Sequence, residues 1–253
     1  MEKRPVIVHF HLFKNAGTSV DRILQKEFGD RWVEIEGPDG RKLDTATLIE
    51  FIRNNSQYDA ISSHTAVVSV PVLEDIEIIP IFFFRHPIDR IRSAYDFEKK
   101  QDASTPGAKM AKQGNFEHYL DWRLSSDRPW QVTNFQAFRL KDYHEITPAK
   151  QTKLIERRAK LALEALPFVG LVEDFEISMS EFEGLIRRHF RNFNGSTLHE
   201  NRTAESKILN DNLSAFVNRI GQSVYDRLIE CNKIDMDLYE VVKKRIKLLS
   251  KPN

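Results

Sequence analysis

Apolar runs without polar alternation are the feature that most constrains how this chain can fold. Residues 5–13 read PVIVHFHLF and residues 76–84 read IEIIPIFFF. A strand that is apolar along its whole length is typical of a parallel sheet buried on both faces. Segments of helical periodicity follow these runs, at 18–28 and 87–100. The alternation predicts an α/β fold with a central, mostly parallel sheet flanked by helices.

The chain is interpreted as a single domain over residues 1–253, with no internal repeat. Residues 101–114 are polar, contain Gly and Pro and lack periodicity, which predicts a mobile surface loop. Residues 205–253 are predicted to form a C-terminal helical segment. No apolar run approaches the ~18 residues of a membrane span, and the first residues lack the apolar core of a signal peptide.

Charge and cysteine content exclude several classes of site. The 38 Lys and Arg residues and 37 Asp and Glu residues leave a net charge of +1, so no overall basic field favours nucleic acid and any anion site is local. The single cysteine, Cys231, excludes an internal disulfide and a thiolate zinc site. His9 and His11 face the same way on the first strand, but the sequence offers no third ligand, so we expect no metal.

A polar segment marks the point where the first strand becomes a helix. It consists of Lys14, Asn15, Ala16, Gly17, Thr18 and Ser19. Such a junction presents backbone N–H groups and the positive end of a helix. Gly17 lets the backbone approach a ligand, Lys14 adds a charge, and the two hydroxyls add donors. The segment predicts a cradle for a phosphate-type anion, with an ordinary surface helix cap as the alternative.

A second candidate anion site follows the run at 76–84. Arg85 lies directly at the strand end, and Ser93 lies about two helical turns further on. A guanidinium suits a two-pronged grip on phosphate, and ligands of open α/β sheets bind at the carboxyl ends of strands. Two anion sites at adjacent strand ends predict a ligand with two separated anionic groups, with a solvated helix face as the alternative.

Together the two motifs resemble those of the carbohydrate-type sulfotransferases, including the glycan 2-O-sulfotransferases. The pattern H-x-x-K-x-x-G-T-S is matched by His11, Lys14, Gly17, Thr18 and Ser19. The pattern R-x-P-x-x-R-x-x-S-x-Y is matched by Arg85, Pro87, Arg90, Ser93 and Tyr95. Phe13 stands where members commonly have proline, and Asn15-Ala16 where many have Thr-Gly. The resemblance implies the P-loop-NTPase-like sulfotransferase fold.

The resemblance also implies the donor, 3′-phosphoadenosine 5′-phosphosulfate (PAPS), with no metal. It implies that residues 14–19 hold the 5′-phosphosulfate and that Arg85 and Ser93 hold the 3′-phosphate. Lys14 is then the group that stabilises the leaving phosphate. Arg202, in Asn-Arg-Thr, resembles a residue of a loop near the nucleotide.

His64 is the candidate base that removes the proton of an acceptor hydroxyl. It follows the apolar segment YDAISS, and an imidazole suits a base near neutral pH. Ser63-His64 resembles the strand-end position of the histidine to which the base role is given in glycan 2-O-sulfotransferases. A structural histidine is the alternative, and Asp96 and Glu98 are rival bases.

The acceptor is expected to be a carbohydrate that lies near residues 101–130. Aromatic side chains there can stack on sugar rings, and cationic ones can meet an anionic glycan: Tyr119, Trp122, Trp130, Lys109, Lys112, Arg123 and Arg128. The alternative is that the aromatic residues belong to the core and the cations to a solvated surface.

Other functions remain open from the sequence. A nucleotide-dependent kinase would use the same strand–loop–helix plan, but the lysine precedes the glycine and no Walker A pattern is present. A non-catalytic module that binds PAPS or its product 3′-phosphoadenosine 5′-phosphate (PAP) is a second alternative, and a glycosyltransferase with Asp235-x-Asp237 a third. Animal members of the family usually carry an N-terminal membrane anchor; none is seen here, so we expect a soluble, cytoplasmic bacterial enzyme.

Overall fold

The computed structural model describes residues 3–126, 129–144, 151–196 and 205–249, with the backbone alone at 205–208 and 249. Its strands are β1 (Arg4–Phe10), β2 (Trp32–Glu34), β3 (Ala60–Ser63), β4 (Ile76–Ile81), β5 (Phe83–Phe84) and β6 (Gly170–Leu171). Its helices are α1 (Gly17–Phe28), α2 (Thr45–Asn54), α3 (Pro87–Lys100), α4 (Pro106–Gln113), α5 (Phe116–Ser125), α6 (Phe135–Leu140), α7 (Thr152–Ala165), α8 (Phe175–Ile186), α9 (Glu205–Ile220), α10 (Gln222–Cys231) and α11 (Lys233–Leu249).

Parallel pairing sets the position of every strand end. Four strands form a sheet in the order β2-β3-β1-β4, and β5 pairs with β6 in a second, two-stranded ladder. All of these pairs are parallel, and Phe10 lies opposite Ser63 at the ends of β1 and β3. The carboxyl ends of β1 and β3 therefore meet at one edge. The predicted α/β fold with a parallel central sheet flanked by helices is confirmed.

Both faces of the sheet are covered, which explains the long apolar runs of β1 and β4. Successive side chains of a strand point to opposite faces. Val6 and Val8 join a core cluster with residues of α2, α7 and α11, whereas Ile7 joins a second cluster with α1 and α8. Each fully buried aliphatic side chain contributes about 1.5–3 kcal/mol. Within the described ranges, no helix combines the length and the apolar character needed to cross a bilayer.

Two parts of the chain differ from the sequence prediction. Residues 106–113 form α4 rather than loop, because Pro106 begins the helix and the Thr105 hydroxyl accepts a hydrogen bond from the Ala108 N–H at 3.2 Å. These capping signals outweigh the weak apolar periodicity. The sequence prediction also missed β2, whose three residues are too few for a periodic pattern. The described part of the predicted C-terminal helical segment consists of α9, α10 and α11.

A buried aspartate attaches α11 to α6. Asp235 is 1% exposed, and its carboxylate accepts hydrogen bonds from the backbone N–H groups of Gln136 (2.9 Å) and Ala137 (2.8 Å). Burial raises the pKa of Asp235 to about 6, although both hydrogen bonds oppose the shift. Asp237 is exposed. The two aspartates therefore have separate environments, and the glycosyltransferase interpretation of Asp235-x-Asp237 loses its basis.

We expect Asp235→Ala to lower the free energy of unfolding by about 2–4 kcal/mol, because two buried N–H groups lose their acceptor. Asp237→Ala, on the same helix, is expected to change it by less than about 0.5 kcal/mol. The folded-state pKa of Asp235 lies above its ordinary value, so ionisation costs stability as the pH rises through this window. The difference in the free energy of unfolding between wild type and Asp235→Ala, measured by urea denaturation, should therefore shrink from about pH 4 to about pH 6. A difference that grows over this range would contradict the assignment.

Candidate active site

The loop between β1 and α1 has the backbone of an anion-binding nest. Lys14 (φ 67°) and Ala16 (φ 59°) lie in the left-handed region, whereas Asn15 and Gly17 do not. Alternation of this kind directs successive N–H groups toward one side. Ala16 is the N-cap of α1 and supplies no side-chain cap, so the first N–H groups of the helix lack the usual side-chain acceptor. Surface capping by Thr18 or Ser19 is therefore wrong, since both follow the cap position.

Gly17 is required by a neighbour that the sequence did not indicate. A Cβ at this position would lie 2.0 Å from Cδ2 and 2.2 Å from Nε2 of His11. Such distances are far inside van der Waals contact, so any side chain here would displace the His11 ring. The glycine thus lets the imidazole of His11 pack directly against the loop.

His11 belongs to a group of side chains that meet at the carboxyl ends of β1 and β3. Nδ1 of His9 and Nδ1 of His11 each lie 2.7 Å from a different oxygen of Asp21, on α1. Burial alone would raise the pKa of Asp21, but the hydrogen bonds with the two imidazoles outweigh burial and lower it. The His11 ring lies 3.7 Å, centroid to centroid, from the ring of His64. Asp21 is the partner that sequence reasoning missed.

His64 is half-exposed and faces carboxylates of β2 and its continuation. Its Nε2 lies 3.7 Å from Oε1 of Glu34. Glu36 accepts hydrogen bonds from the backbone N–H of His64 (2.8 Å) and of Thr65 (2.9 Å), which anchors the strand end. Burial and the neighbouring His11 lower the pKa of His64 below its ordinary value. The imidazole is therefore mostly neutral at neutral pH, as a proton acceptor must be.

Two groups of three residues in the described ranges bring potential metal-binding atoms within 4.8 Å of one another. One consists of His9, His11 and Asp21, and the other of Glu34, Glu36 and His64. In the first group both imidazole–carboxylate pairs are engaged in hydrogen bonds at 2.7 Å. The predicted absence of a metal remains a prediction.

Arg85 joins the two predicted anion sites. Its Nη1 donates a hydrogen bond to the backbone carbonyl of Lys14 at 2.9 Å. Its Nε and Nη2 donate to Oδ2 of Asp89 at 2.8 and 2.5 Å. An arginine has five N–H donors, so two remain available for an anion. Burial and the charge of Arg85 lower the pKa of Lys14. The two cationic side chains are thus close enough to share a ligand.

Ser93 lies one helical turn after Asp89 on α3, and Asp89 is the ion-pair partner of Arg85, which precedes the helix. Ser93 is half-buried. Arg90 is buried, donates to the carbonyl of Gln131 and lies over the Phe135 ring at 4.4 Å. It therefore supports the fold at this point. Arg202 lies outside the described residues.

Phe97 is an aromatic neighbour of Lys14 that sequence reasoning missed. The Lys14 Nζ lies 4.8 Å from the centroid of its ring, and the Phe13 ring packs edge-on against it at 5.6 Å. Phe97 is 43% exposed, so this apolar face borders both the lysine and solvent. It follows Ser93 by one helical turn, which the spacing in the sequence would have indicated.

The residues predicted to bind the acceptor are divided between the core and the surface, since Tyr119 and Arg123 are buried whereas Lys109 and Lys112 are exposed. Tyr119 donates to Glu98 at 2.6 Å, and Arg123 donates to the other oxygen of Glu98 at 2.5 Å, all three being buried. This pairing removes Glu98 from the candidate bases and Arg123 from the candidate glycan contacts. Trp130 stacks on Phe138 at 4.8 Å. The rival base Asp96 is paired with Arg92 and Arg219, and Arg128 lies outside the described residues.

Comparisons with known proteins bear on this arrangement. Residues 1–240 match the family model described as "Sulfotransferase family". A protein of Archaeoglobus fulgidus, described as uncharacterized, is 41% identical over 250 residues, which cover 94% of this chain and 96% of that protein. The residues matched by the family model include the Lys14 loop, His64, Arg85 and Arg202.

Proposed function

Because this chain belongs to the sulfotransferase family, we propose that it transfers the sulfuryl group of PAPS to a hydroxyl group of a carbohydrate. The observation that carries the proposal is the contact between the two anion-binding elements. Arg85, directly after β5, donates a hydrogen bond to the Lys14 carbonyl in the uncapped loop before α1. A donor with anionic groups at its 3′ and 5′ positions fits two neighbouring anion sites.

In this proposal the 5′-phosphosulfate binds the loop and the 3′-phosphate binds the start of α3. The backbone N–H groups of residues 16–18 and the hydroxyls of Thr18 and Ser19 surround the phosphosulfate. The N–H groups of Asn15 and Ser19 donate within the chain, to the carbonyls of Leu12 and Ala16. The two remaining N–H groups of Arg85 and the hydroxyl of Ser93 hold the 3′-phosphate. Arg202 is assigned to the same nucleotide on the resemblance of its segment alone.

The proposed chemistry is an in-line displacement at sulfur. The acceptor oxygen forms a bond to sulfur while the bond between sulfur and the bridging phosphate oxygen breaks. Negative charge grows on the departing phosphate, and the Lys14 ammonium stabilises it. His64 takes the proton of the acceptor hydroxyl. The products are the sulfate ester, PAP and a protonated His64, which returns its proton to solvent.

The acceptor side supports a neutral sugar better than a polyanionic glycan. Glu34 and Glu36 are exposed beside His64, so a polyanionic acceptor would meet two carboxylates at the proposed base. The half-exposed ring of Phe97 beside Lys14 offers an apolar face on which a sugar ring can pack.

Calorimetric titration with PAP, and with ADP as the comparison ligand, tests the donor. We expect wild type to bind PAP more tightly than ADP. Arg85→Ala should weaken PAP binding by about 10–100-fold, since a hydrogen bond to a charged group contributes about 1.5–3 kcal/mol. Arg53→Ala is the matched control: Arg53 is also paired with an aspartate, Asp75, but at the amino-terminal edge of the sheet. It should leave both affinities unchanged.

Two results would point to other functions. Binding of ADP as tight as that of PAP would favour the nucleotide-dependent kinase. PAP binding that Arg85→Ala weakens, together with no sulfation of any sugar by PAPS, would favour a non-catalytic binding module.

A further inference from the structure

A buried glutamine side chain replaces the missing sheet partner of Arg85. Gln136, on α6, is fully buried. Its Oε1 accepts the backbone N–H of Arg85 at 2.9 Å, and its Nε2 donates to the backbone carbonyl of Arg85 at 3.0 Å. Arg85 follows the last residue of β5, where strand pairing has ended. The amide of Gln136 thus continues the ladder by one residue, and the backbone donor and acceptor of Arg85 fix its orientation.

The same amide reaches the loop before α1. Oε1 of Gln136 also accepts a hydrogen bond from Nδ2 of Asn15 at 2.8 Å, and Nδ2 of Asn15 donates a second one to the carbonyl of Phe83 at 2.6 Å. Asn15 is 1% exposed. Because both neighbours of Nδ2 are acceptors, only the donor end of the Asn15 amide fits there. The loop and the end of β5 are therefore held by one connected pair of amides.

We propose that Asn15 and Gln136 form an amide clamp that sets the distance between the two phosphate sites of the donor. The inference rests on the proposed function, since it assigns the loop to the 5′ end of the nucleotide and Arg85 to its 3′-phosphate. Both amide side chains of the clamp are buried. They position Arg85 and the loop before α1, and they do not bind the nucleotide themselves. A ligand that must reach both sites gains from a fixed distance, whereas a ligand that uses one site does not.

The clamp is itself anchored from the far end of the chain. The backbone N–H of Gln136 donates to Asp235, on α11, at 2.9 Å. The Arg85 side chain adds a second link, through its hydrogen bond to the Lys14 carbonyl. Loss of the Gln136 amide leaves this second link in place, so the loop and Arg85 remain neighbours but their distance is no longer fixed at two points.

The test compares PAP with adenosine 5′-phosphate (AMP), which lacks the 3′-phosphate, by calorimetry. The measured quantity is the ratio of the AMP and PAP dissociation constants. We expect Gln136→Met to lower this ratio at least about tenfold, with AMP binding changed by less than about threefold. Asn15→Ala should have the same effect, and because it changes a loop residue it serves if Gln136→Met fails to fold.

Asn232→Leu is the matched control. Asn232 is also a buried amide with three hydrogen bonds, and none of the three reaches Arg85 or the Lys14 loop. Its Nδ2 donates to the Val132 and Leu228 carbonyls, and its Oδ1 accepts from the Asn134 N–H. Asn232→Leu should lower the thermal stability of the protein and leave the ratio of the AMP and PAP dissociation constants at its wild-type value. A ratio that falls equally in Asn232→Leu, or stays at the wild-type value in both clamp variants, overturns the clamp alone. Wild type that binds PAP no better than AMP overturns the proposed donor.

Discussion

We expect Lys14→Met to lower kcat for sulfuryl transfer by about 10²–10³-fold, because the methionine keeps the length of the side chain but removes the charge that we propose stabilises the leaving phosphate. PAP binding should weaken as well, by about tenfold or more, since the 5′-phosphate of this product carries in full the negative charge that develops in the transition state. Steady-state kinetics with PAPS and calorimetry with PAP measure the two effects separately.

Lys26→Met, on the exposed last turn of α1, is the control and should retain the wild-type rate. Burial and Arg85 lower the pKa of Lys14, so the wild-type rate should begin to fall on the alkaline side at a pH below the ordinary lysine pKa. Lys14→Met should lack this alkaline limb. If Lys14→Met turned over within a few-fold of wild type, the lysine would have no part in stabilising the leaving group.

His64→Ala should reduce kcat by about 10²–10⁴-fold and leave PAP binding unchanged, since general base catalysis contributes about this much. In the proposed mechanism the unprotonated imidazole is the active form, so the rate of wild type should fall as the pH drops. Because burial and His11 lower the pKa of His64, the midpoint of that fall should lie below pH 6.5. Near-normal turnover of His64→Ala would remove His64 from the mechanism.

Glu34→Gln tests whether His64 or the neighbouring Glu34 removes the proton of the acceptor. The carboxylate of Glu34 raises the pKa of His64, so its neutralisation should move the acid limb to lower pH and leave the plateau rate largely unchanged. A loss of rate as large as that of His64→Ala would instead identify Glu34 as the group that removes the proton.

The positions of β1, β3 and β4 could be predicted from the sequence because these strands are largely buried. The apolar pattern located the loop before α1, Arg85 and His64, since all three directly follow apolar runs. Their meeting at one edge follows from parallel pairing, in which Phe10 lies opposite Ser63 and the next residues, His11 and His64, become neighbours.

The hydrogen-bond partners of these residues could not be predicted from the sequence. Asp21 lies on the first helix and gives no local signal that its carboxylate bridges two histidines. Gln136 and Asn15 are 121 residues apart, and only the tertiary fold brings the two amides together. Tyr119 and Arg123 have the composition of a sugar-binding surface, yet a single buried carboxylate, Glu98, turns them inward. Polarity alone does not distinguish a solvated cation from one with a buried partner.

The hydrogen bonds from Asn15 to Gln136 and from Gln136 to Asp235 span 121 and 99 residues. Contacts between residues so far apart in the sequence form late in folding, because the long intervening segment must first close into a loop. During synthesis the segment that contains Lys14 leaves the ribosome early. Asp235, which accepts the hydrogen bond from the Gln136 N–H, is translated only with α11. The proposed nucleotide site should therefore become competent only when nearly the whole chain has emerged, so ribosome-bound chains that end before residue 233 should fail to retain PAP.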